Sequence, residues 1–385
     1  MKRILHLIPG LEGGGAEFLL YKLIEFSSSR NYEHTVVSMT NDGVFGNRIR
    51  ALGAPVITLG MKRGRPGLGG MARFWSTVSL SKPGLIHAWM YHANLLGAIS
   101  APPRGIPLIW ALHATELEES QYSVSARLTR KLCIQLSGVP DVVVANSMTT
   151  YAHHIESGYR ARRWEIIPNG FDTSRFLPQS AARERIILEL GLRPDAFLIG
   201  LFARLDPMKD HQTFLDAASI FARDVPSAHF ILAGSDITWQ NAHLREMIVQ
   251  RGLDHRVSLL GYREDIESVT AALDVATSSS VFGESFSNTT AEAMACGVPC
   301  VVTALSAVVE LVGSTGIVVS LRAPTELARA WKDLLEAGAE GRRTLGERGV
   351  HRIRELFTIQ YMVERYEALY RSLTAQHSRN ESEPA

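Results

Sequence analysis

Two glutamates separated by seven residues stand out for their chemistry: Glu284-Ser-Phe-Ser-Asn-Thr-Thr-Ala-Glu292, followed by Ala-Met-Ala-Cys-Gly297-Val-Pro299. Ser287 or Asn288 suits the N-cap of a helix, and Gly297 with Pro299 ends it. Glu284 then belongs to the loop before that helix and Glu292 to the helix itself. Unpaired N–H groups at the helix start carry partial positive charge, which suits a diphosphate. The flanking carboxylates can accept hydrogen bonds from ribose and sugar hydroxyls. The same segment also reads as an ordinary capped helix with acids near its start.

A second cluster is Ala203-Arg204-Leu-Asp-Pro-Met-Lys209-Asp-His, placed just after an apolar run that reads as a strand. Arg204 and Lys209 there can neutralise a diphosphate leaving group, the arginine with a fork of donors. That is stabilisation of charge that develops as a bond breaks. A solvated basic loop is the plainer reading. A third cluster, Gly10-Leu-Glu-Gly13-Gly14-Gly15-Ala16-Glu17, lets backbone approach a ligand closely. Its spacing is not Gly-x-Gly-x-x-Gly, so a flexible strand-to-helix connection reads as well. His113 ends a strand and can bond a sugar hydroxyl or the developing charge, or be structural. Asn146-Ser147 and Asn169-Gly170 also follow strands and read as turn chemistry or as ligand contacts. No Asp-x-Asp, the metal-holding motif of many sugar transferases of another architecture, occurs. That fits a site in which Arg204, Lys209 and a helix terminus replace a metal.

These residues need a frame. Short apolar runs alternate with helical patterns almost throughout, the rhythm of parallel sheets covered by helices. Strands are expected at Arg3–Pro9, His34–Met39, Val56–Leu59, Leu85–Trp89, Leu108–Leu112, Val142–Ala145 and Glu165–Ile167. A second set follows at Leu198–Ala203, His229–Ala233, Val257–Leu260, Val275–Thr277, Cys300–Thr303 and Ile317–Val319. Helices are expected at Ala16–Phe26, Ala126–Leu136, His211–Arg223, Ala242–Gln250, Asn288–Ala295 and Pro324–Ala337. The boundary falls between about Asn169 and Pro194. Two doubly wound domains are expected, residues 1–180 and 181–357, with a helix at about 358–376 and a polar tail at 377–385. Ligands of such sheets bind beyond the carboxyl ends of the strands.

Composition narrows the class. The 385 residues are 46% hydrophobic and 21% charged, enough to bury substantial cores. A net charge of +1 excludes a strongly electrostatic nucleic-acid binder. Three cysteines, Cys133, Cys296 and Cys300, without Cys-x-x-Cys argue for reduced thiols in a cytoplasmic protein. Met1-Lys2-Arg3 precedes a short apolar run that reads as a strand, not a signal peptide. The uncharged stretches 84–103 and 293–309 read as buried α/β segments, which leaves peripheral membrane contact open.

In combination these motifs resemble the retaining glycosyltransferase family 4, with the GT-B fold. The resemblance runs through Gly14-Gly15-Ala16-Glu17, His113, Ile167-Pro168-Asn169-Gly170-Phe171-Asp172, Arg204 with Lys209, Leu260-Gly261, and Glu284/Glu292 with Ala293-Met294-Ala295-Cys296-Gly297-Val298-Pro299. It implies two Rossmann-like domains facing across a cleft, with a terminal helix crossing back to the first. It implies that Glu292 holds ribose, Glu284 the donor sugar, and Arg204 and Lys209 the diphosphate. Ser285, Phe286, Ser287 and Asn288 would complete the donor loop, and Tyr262-Arg263 would lie near the base. Gly15 would approach phosphate or acceptor, with Gly14, Glu17 and Asn169 on the acceptor side and His113 near the reacting centre. Phe286-Ser287-Asn288 departs from the commoner Phe-Gly, and Ala304-Leu305-Ser306-Ala307 from a Gly-rich segment.

The implied activity is retaining, metal-independent transfer of a sugar from a nucleotide-diphosphate donor to a glycan or lipid-linked acceptor, without a further cofactor. Similarity around Trp89-Met90-Tyr91-His92 points to surface polysaccharide biosynthesis, in the cytoplasm or at the inner membrane face. The basic stretch Lys62-Arg63-Gly64-Arg65 could touch an anionic membrane, or be a solvated loop. A sugar-nucleotide epimerase and a non-catalytic nucleotide-sugar-binding protein are the alternatives. Isomerised donor would mark the first, and tight binding without turnover the second.

Overall fold

The computed structural model describes residues 1–12, 14–27, 31–62, 67–113, 123–284 and 286–382. Gly13, Ser285, residues 63–65 of the basic stretch and the last residues of the tail lie outside the described residues.

Two parallel sheets form the frame. The first contains β1 (Lys2–Ile8), β2 (Tyr32–Ser38), β3 (Val56–Thr58), β4 (Leu85–Trp89), β5 (Leu108–Leu112), β6 (Val142–Ala145) and β7 (Trp164–Ile166). The second contains β8 (Phe197–Phe202), β9 (Ala228–Ala233), β10 (Val257–Leu259), β11 (Val275–Ser278), β12 (Cys300–Thr303) and β13 (Gly316–Val319). All thirteen strands lie within two residues of the expected ends. They are legible because central parallel strands are buried on both faces and read as unbroken apolar runs; β4, β5 and β8 are buried along their whole length.

Strand order is β3-β2-β1-β4-β5-β6-β7 in one sheet and β10-β9-β8-β11-β12-β13 in the other. Each sheet reverses direction once, between β1 and β4 and between β8 and β11. Those are the topological switch points where such sheets hold ligands. The loops after β1, β8 and β11 carry the glycine-rich cluster, the Arg204/Lys209 cluster and Glu284, while His113 follows β5, Asn169 follows β7 and Tyr262 follows β10.

The chain forms two compact units, residues 1–170 with 359–385, and residues 171–358. The helix Ile359–Ser382 belongs to the first unit. Its Ile359, Met362, Tyr366, Leu369 and Tyr370 share a core with Ile4, Leu85 and Trp89. Within the second unit, the Phe171 N–H donates to the Phe357 carbonyl at 2.7 Å, tying the entering strand to the leaving one. Cys133, Cys296 and Cys300 are buried and free.

The helix Gly338–Leu356 has no counterpart in the expectations, because Gly341, Gly346 and Gly349 disfavour a helix by about 1 kcal/mol each. Packing explains it. A Cβ on Gly346 would lie 1.9 Å from the Gly297 carbonyl oxygen, and one on Gly349 would touch Met294. The glycines let this helix lie directly on Asn288–Ala295, the helix that carries Glu292.

Candidate functional site

The second unit brings the two charged motifs together. After β8, Asp206 accepts from the Met208 N–H at 2.9 Å and shapes the turn Pro207–Lys209. Its carboxylate also pairs with Arg204 Nη2 at 2.9 Å, while the arginine stays exposed. Asp210, at φ 46°, caps the helix His211–Asp224 by accepting from the Thr213 N–H at 3.1 Å. The loop after β11 is laced onto this turn. Ser279 Oγ donates to the Lys209 carbonyl at 2.7 Å, and the Val281 N–H donates to the Met208 carbonyl at 2.9 Å. Lys209 Nζ meets Glu284 Oε1, and Ser280 Oγ donates to the same oxygen at 2.9 Å. The Glu284 side chain is only 7% exposed, so removing Lys209 would strand a buried carboxylate.

The helix Asn288–Ala295 starts beside this pair. Ser287 occupies the N-cap, but its hydroxyl bonds Thr290 Oγ1 at 2.7 Å and caps no backbone N–H. The side-chain cap expected from sequence is therefore not made, and the helix start keeps its anion-seeking N–H groups. Asn288, the first helical residue, is exposed. The C-terminus ends as expected: Gly297, at φ 76°, donates to the Met294 carbonyl and Val298 to that of Ala293.

Glu292 sits in the second turn of the helix, half-buried. Burial pushes its carboxyl up to about 8; Arg175 pulls it back and Glu267 pushes it further. Arg175 is held by Glu267 at 2.8 Å and by the Glu264 carbonyl at 2.7 Å. Phe286 is buried and stacks on Phe171 at 5.1 Å, anchoring the loop between Glu284 and the helix. Tyr262 follows Gly261 and is 78% exposed. Arg263 is held by Asp265 at 2.8 Å and Glu189 at 2.5 Å.

The first unit is built differently. Gly14 is the N-cap of the helix Gly15–Phe26 without a side-chain cap, and a Cβ on Gly15 would meet nothing within 4 Å. Glu17 folds back over this start, so that a Cβ on Gly14 would lie 2.4 Å from Glu17 Oε2. Burial raises the Glu17 carboxyl, while the Glu17 and Gly14 N–H groups pull it down. His113, just beyond β5, stacks on Trp89 at 5.1 Å with ring planes 10° apart. Burial lowers the imidazole to about 4, and a hydrogen bond with Asn169 acts the other way. Asn169 is buried. Asn146 and Ser147 make a turn: Ser147 caps the helix Met148–Glu156, and Asn146 accepts from Thr150 Oγ1 at 2.7 Å.

Several contributors carry no sequence signal of their own. Ser279 and Ser280 are ordinary loop residues until the fold sets them against Lys209 and Glu284. Gly234, at φ 145°, ends β9 where a Cβ would lie 2.3 Å from the Ala203 oxygen, so only glycine lets the two loops touch. Trp89, between His87 and His113, reads as core.

Comparison with known proteins decides the family. Residues 13–175 match the model described as Glycosyltransferase Family 4, and residues 196–337 match Glycosyl transferases group 1. The chain belongs to the GT-B glycosyltransferases. This glycosyltransferase is similar to Anabaena HepE, with 26% identity and a TM-score of 0.83 over 97% of this chain and 100% of that one. HepE has been crystallised with UDP, with UDP and glucose, and with UDP-glucose. This chain is 26% identical over 316 residues to the D-inositol 3-phosphate glycosyltransferase of Salinispora tropica, covering 76% of this chain and 64% of that one. It is 25% identical over 225 residues to the UDP-Gal:alpha-D-GlcNAc-diphosphoundecaprenol alpha-1,3-galactosyltransferase of Escherichia coli, covering 57% of each. The chain spans less than two thirds of the length of the first curated relatives it matches. Among the described residues, no helix of this glycosyltransferase is long and apolar enough to cross a membrane.

Proposed function

We propose that this chain transfers a hexose from a UDP-sugar to a glycan or lipid-linked acceptor, with retention of anomeric configuration and without a metal. The observation that carries this is the Lys209–Glu284 pair, laced beside a helix start without a side-chain cap at the β8/β11 switch point. HepE, crystallised with UDP-glucose, supports the choice of donor. The second unit is the donor unit and the first the acceptor unit.

Arg204 and Lys209 are held by Asp206 and Glu284, which keeps both cations at the strand end. A diphosphate beside them takes over their charge, and the helix N–H groups add to it. Glu284, released from Lys209, accepts from a sugar hydroxyl, and Glu292 accepts from the ribose. In the transfer step the bond from the anomeric carbon to the phosphate oxygen breaks and a bond to the acceptor oxygen forms on the same face. The acceptor proton passes to the leaving phosphate. His113 contacts the reacting sugar as a neutral imidazole.

The lipid-linked alternative for the acceptor draws on the helix Val124–Gln135. It has Arg127, Arg130 and Lys131 and no acid, and exposes Val124 and Leu128. Such a face suits peripheral contact with an anionic bilayer at the inner membrane face. Sedimentation with vesicles containing phosphatidylglycerol, and not with phosphatidylcholine alone, is the expected result; equal binding to both would contradict it.

The donor assignment is tested by thermal shift. A ligand that binds only the native state raises the melting temperature. UDP is expected to stabilise the chain more than ADP or GDP, with EDTA changing nothing. No shift with UDP, or a shift abolished by EDTA and restored by a divalent cation, would overturn the assignment.

A further inference from the structure

A row of aromatic rings crosses the first sheet inside the protein. His34 on β2, His6 on β1, and His87 and Trp89 on β4 are buried, and His113 follows β5. These strands are neighbours in the order β2-β1-β4-β5, and His6 lies opposite His87 in the register. The helix Ile359–Ser382 covers the row with Tyr366 and Tyr370, whose rings pack on His87 at 5.2 and 5.9 Å.

The row is pinned by hydrogen bonds with defined directions. An indole N–H can only donate, and Trp89 Nε1 donates to His6 Nδ1 at 3.3 Å. Burial keeps His6 neutral, so its proton sits on Nε2 and is donated to His34 Nδ1 at 2.9 Å. His87 Nδ1 bonds the Tyr370 hydroxyl at 2.8 Å. The indole of Trp89 is thus fixed at its N–H by His6 and stacked on one side by His87, 4.4 Å between centroids. Its other stacking partner is His113 at 5.1 Å, the two planes 10° apart.

We propose that Trp89 is the positioning residue for His113: its indole, locked by His6 and His87, sets the plane in which the His113 imidazole meets the reacting sugar. The proposal rests on the role given to His113 above. Trp89 itself touches no substrate. A ring misplaced by about 1 Å can cost up to ~100-fold in rate while leaving binding intact.

The experiment uses the full chain and hydrolysis of UDP-glucose. Trp89→Leu is expected to lower kcat roughly 30-fold, within that range, with KM and the UDP-induced thermal shift nearly unchanged. Trp89→Phe, which keeps a ring to stack, should restore most of the rate. In a His113→Ala background, Trp89→Leu should cost nothing more, because coupled residues are not additive. His6→Phe, which frees the indole N–H without touching His113, gives a smaller loss of the same kind and serves should Trp89→Leu not fold. Independently of turnover, the ¹⁵N ring signal of His113, assigned by its loss in His113→Asn, should broaden in Trp89→Leu and hold in Trp89→Phe. Equal losses in both backgrounds, or a His113 signal unmoved in Trp89→Leu, would overturn the proposal. Full turnover in His113→Ala alone would overturn the role of His113 instead, and the ring signal would still judge Trp89.

Discussion

The two sheets share one strand order up to β7 at the edge of the first, yet they furnish their switch points in opposite ways. The second unit uses charge on loops: Arg204 with Asp206, Lys209 with Glu284, and a helix start without a side-chain cap. The first uses neutral rings inside strands, from His34 through Trp89 to His113. The difference follows from what each must hold. A diphosphate brings two or more negative charges, and ion pairs at the strand ends can be exchanged for it. A single contact at a reacting carbon needs orientation more than charge, and orientation is best held by stacked, close-packed rings.

The largest effect is expected at Lys209. Lys209→Ala removes a cation from the diphosphate and leaves Glu284 buried without it. Turnover of UDP-glucose should fall ~100- to 1000-fold, the scale of losing one preorganised charge-stabilising group. The melting temperature without ligand should fall as well. A variant that keeps both its rate and its melting temperature would remove the second unit from the chemistry.

Two buried groups, Glu292 in the second unit and His34 in the first, should answer pH with opposite signs. Glu292 is raised to about 8, so the folded chain holds a proton that the unfolded chain releases above about 4.5. Its contribution is complete at pH 4.5 and is lost as pH rises to 8, on the order of 5 kcal/mol. Glu292→Gln should therefore be more heat-stable than the parent at pH 8, the gap closing toward pH 5. His34 is lowered to about 4 by burial, so the unfolded chain binds its proton first. Stability is complete above pH 6.5 and is lost as pH falls to 4, by about 3 kcal/mol. His34→Leu should flatten the acid limb of a denaturation series, although His211 and His229 in the second unit, also lowered to about 4, keep part of it. A parallel acid limb in parent and variant would show that His34 is not held neutral. The smallest effect belongs to Tyr262, exposed beyond β10: Tyr262→Ala should weaken UDP binding only about threefold, the lower range of an aromatic stacking contact.

Much of the fold is legible in the sequence. Apolar runs located the strands most sharply at the centre of each sheet, where β4, β5 and β8 are buried along their whole length. Loop charges at strand ends, Arg204, Lys209 and Glu284, stood out because charged residues there have no packing role. What could not be read is pairwise. Nothing in the spacing says that Lys209 reaches Glu284, seventy-five residues on, or that Ser279 and Ser280 lace the two loops together. Gly346 reads as a helix breaker until Gly297 is packed against it. His6 and His87 each read as a polar residue in an apolar stretch and His34 as one polar residue among several, and only sheet order turns three strands distant in sequence into one row.

The central claim is that one UDP-sugar is held by the second unit through Lys209 and Glu292. Calorimetric titration of UDP into the parent chain, Lys209→Ala and Glu292→Ala tests it most directly. One site is expected in the parent, with affinity at least about tenfold weaker in each variant, the size of one lost strong hydrogen bond. Equal affinity in all three proteins, with the variants folded, would contradict it.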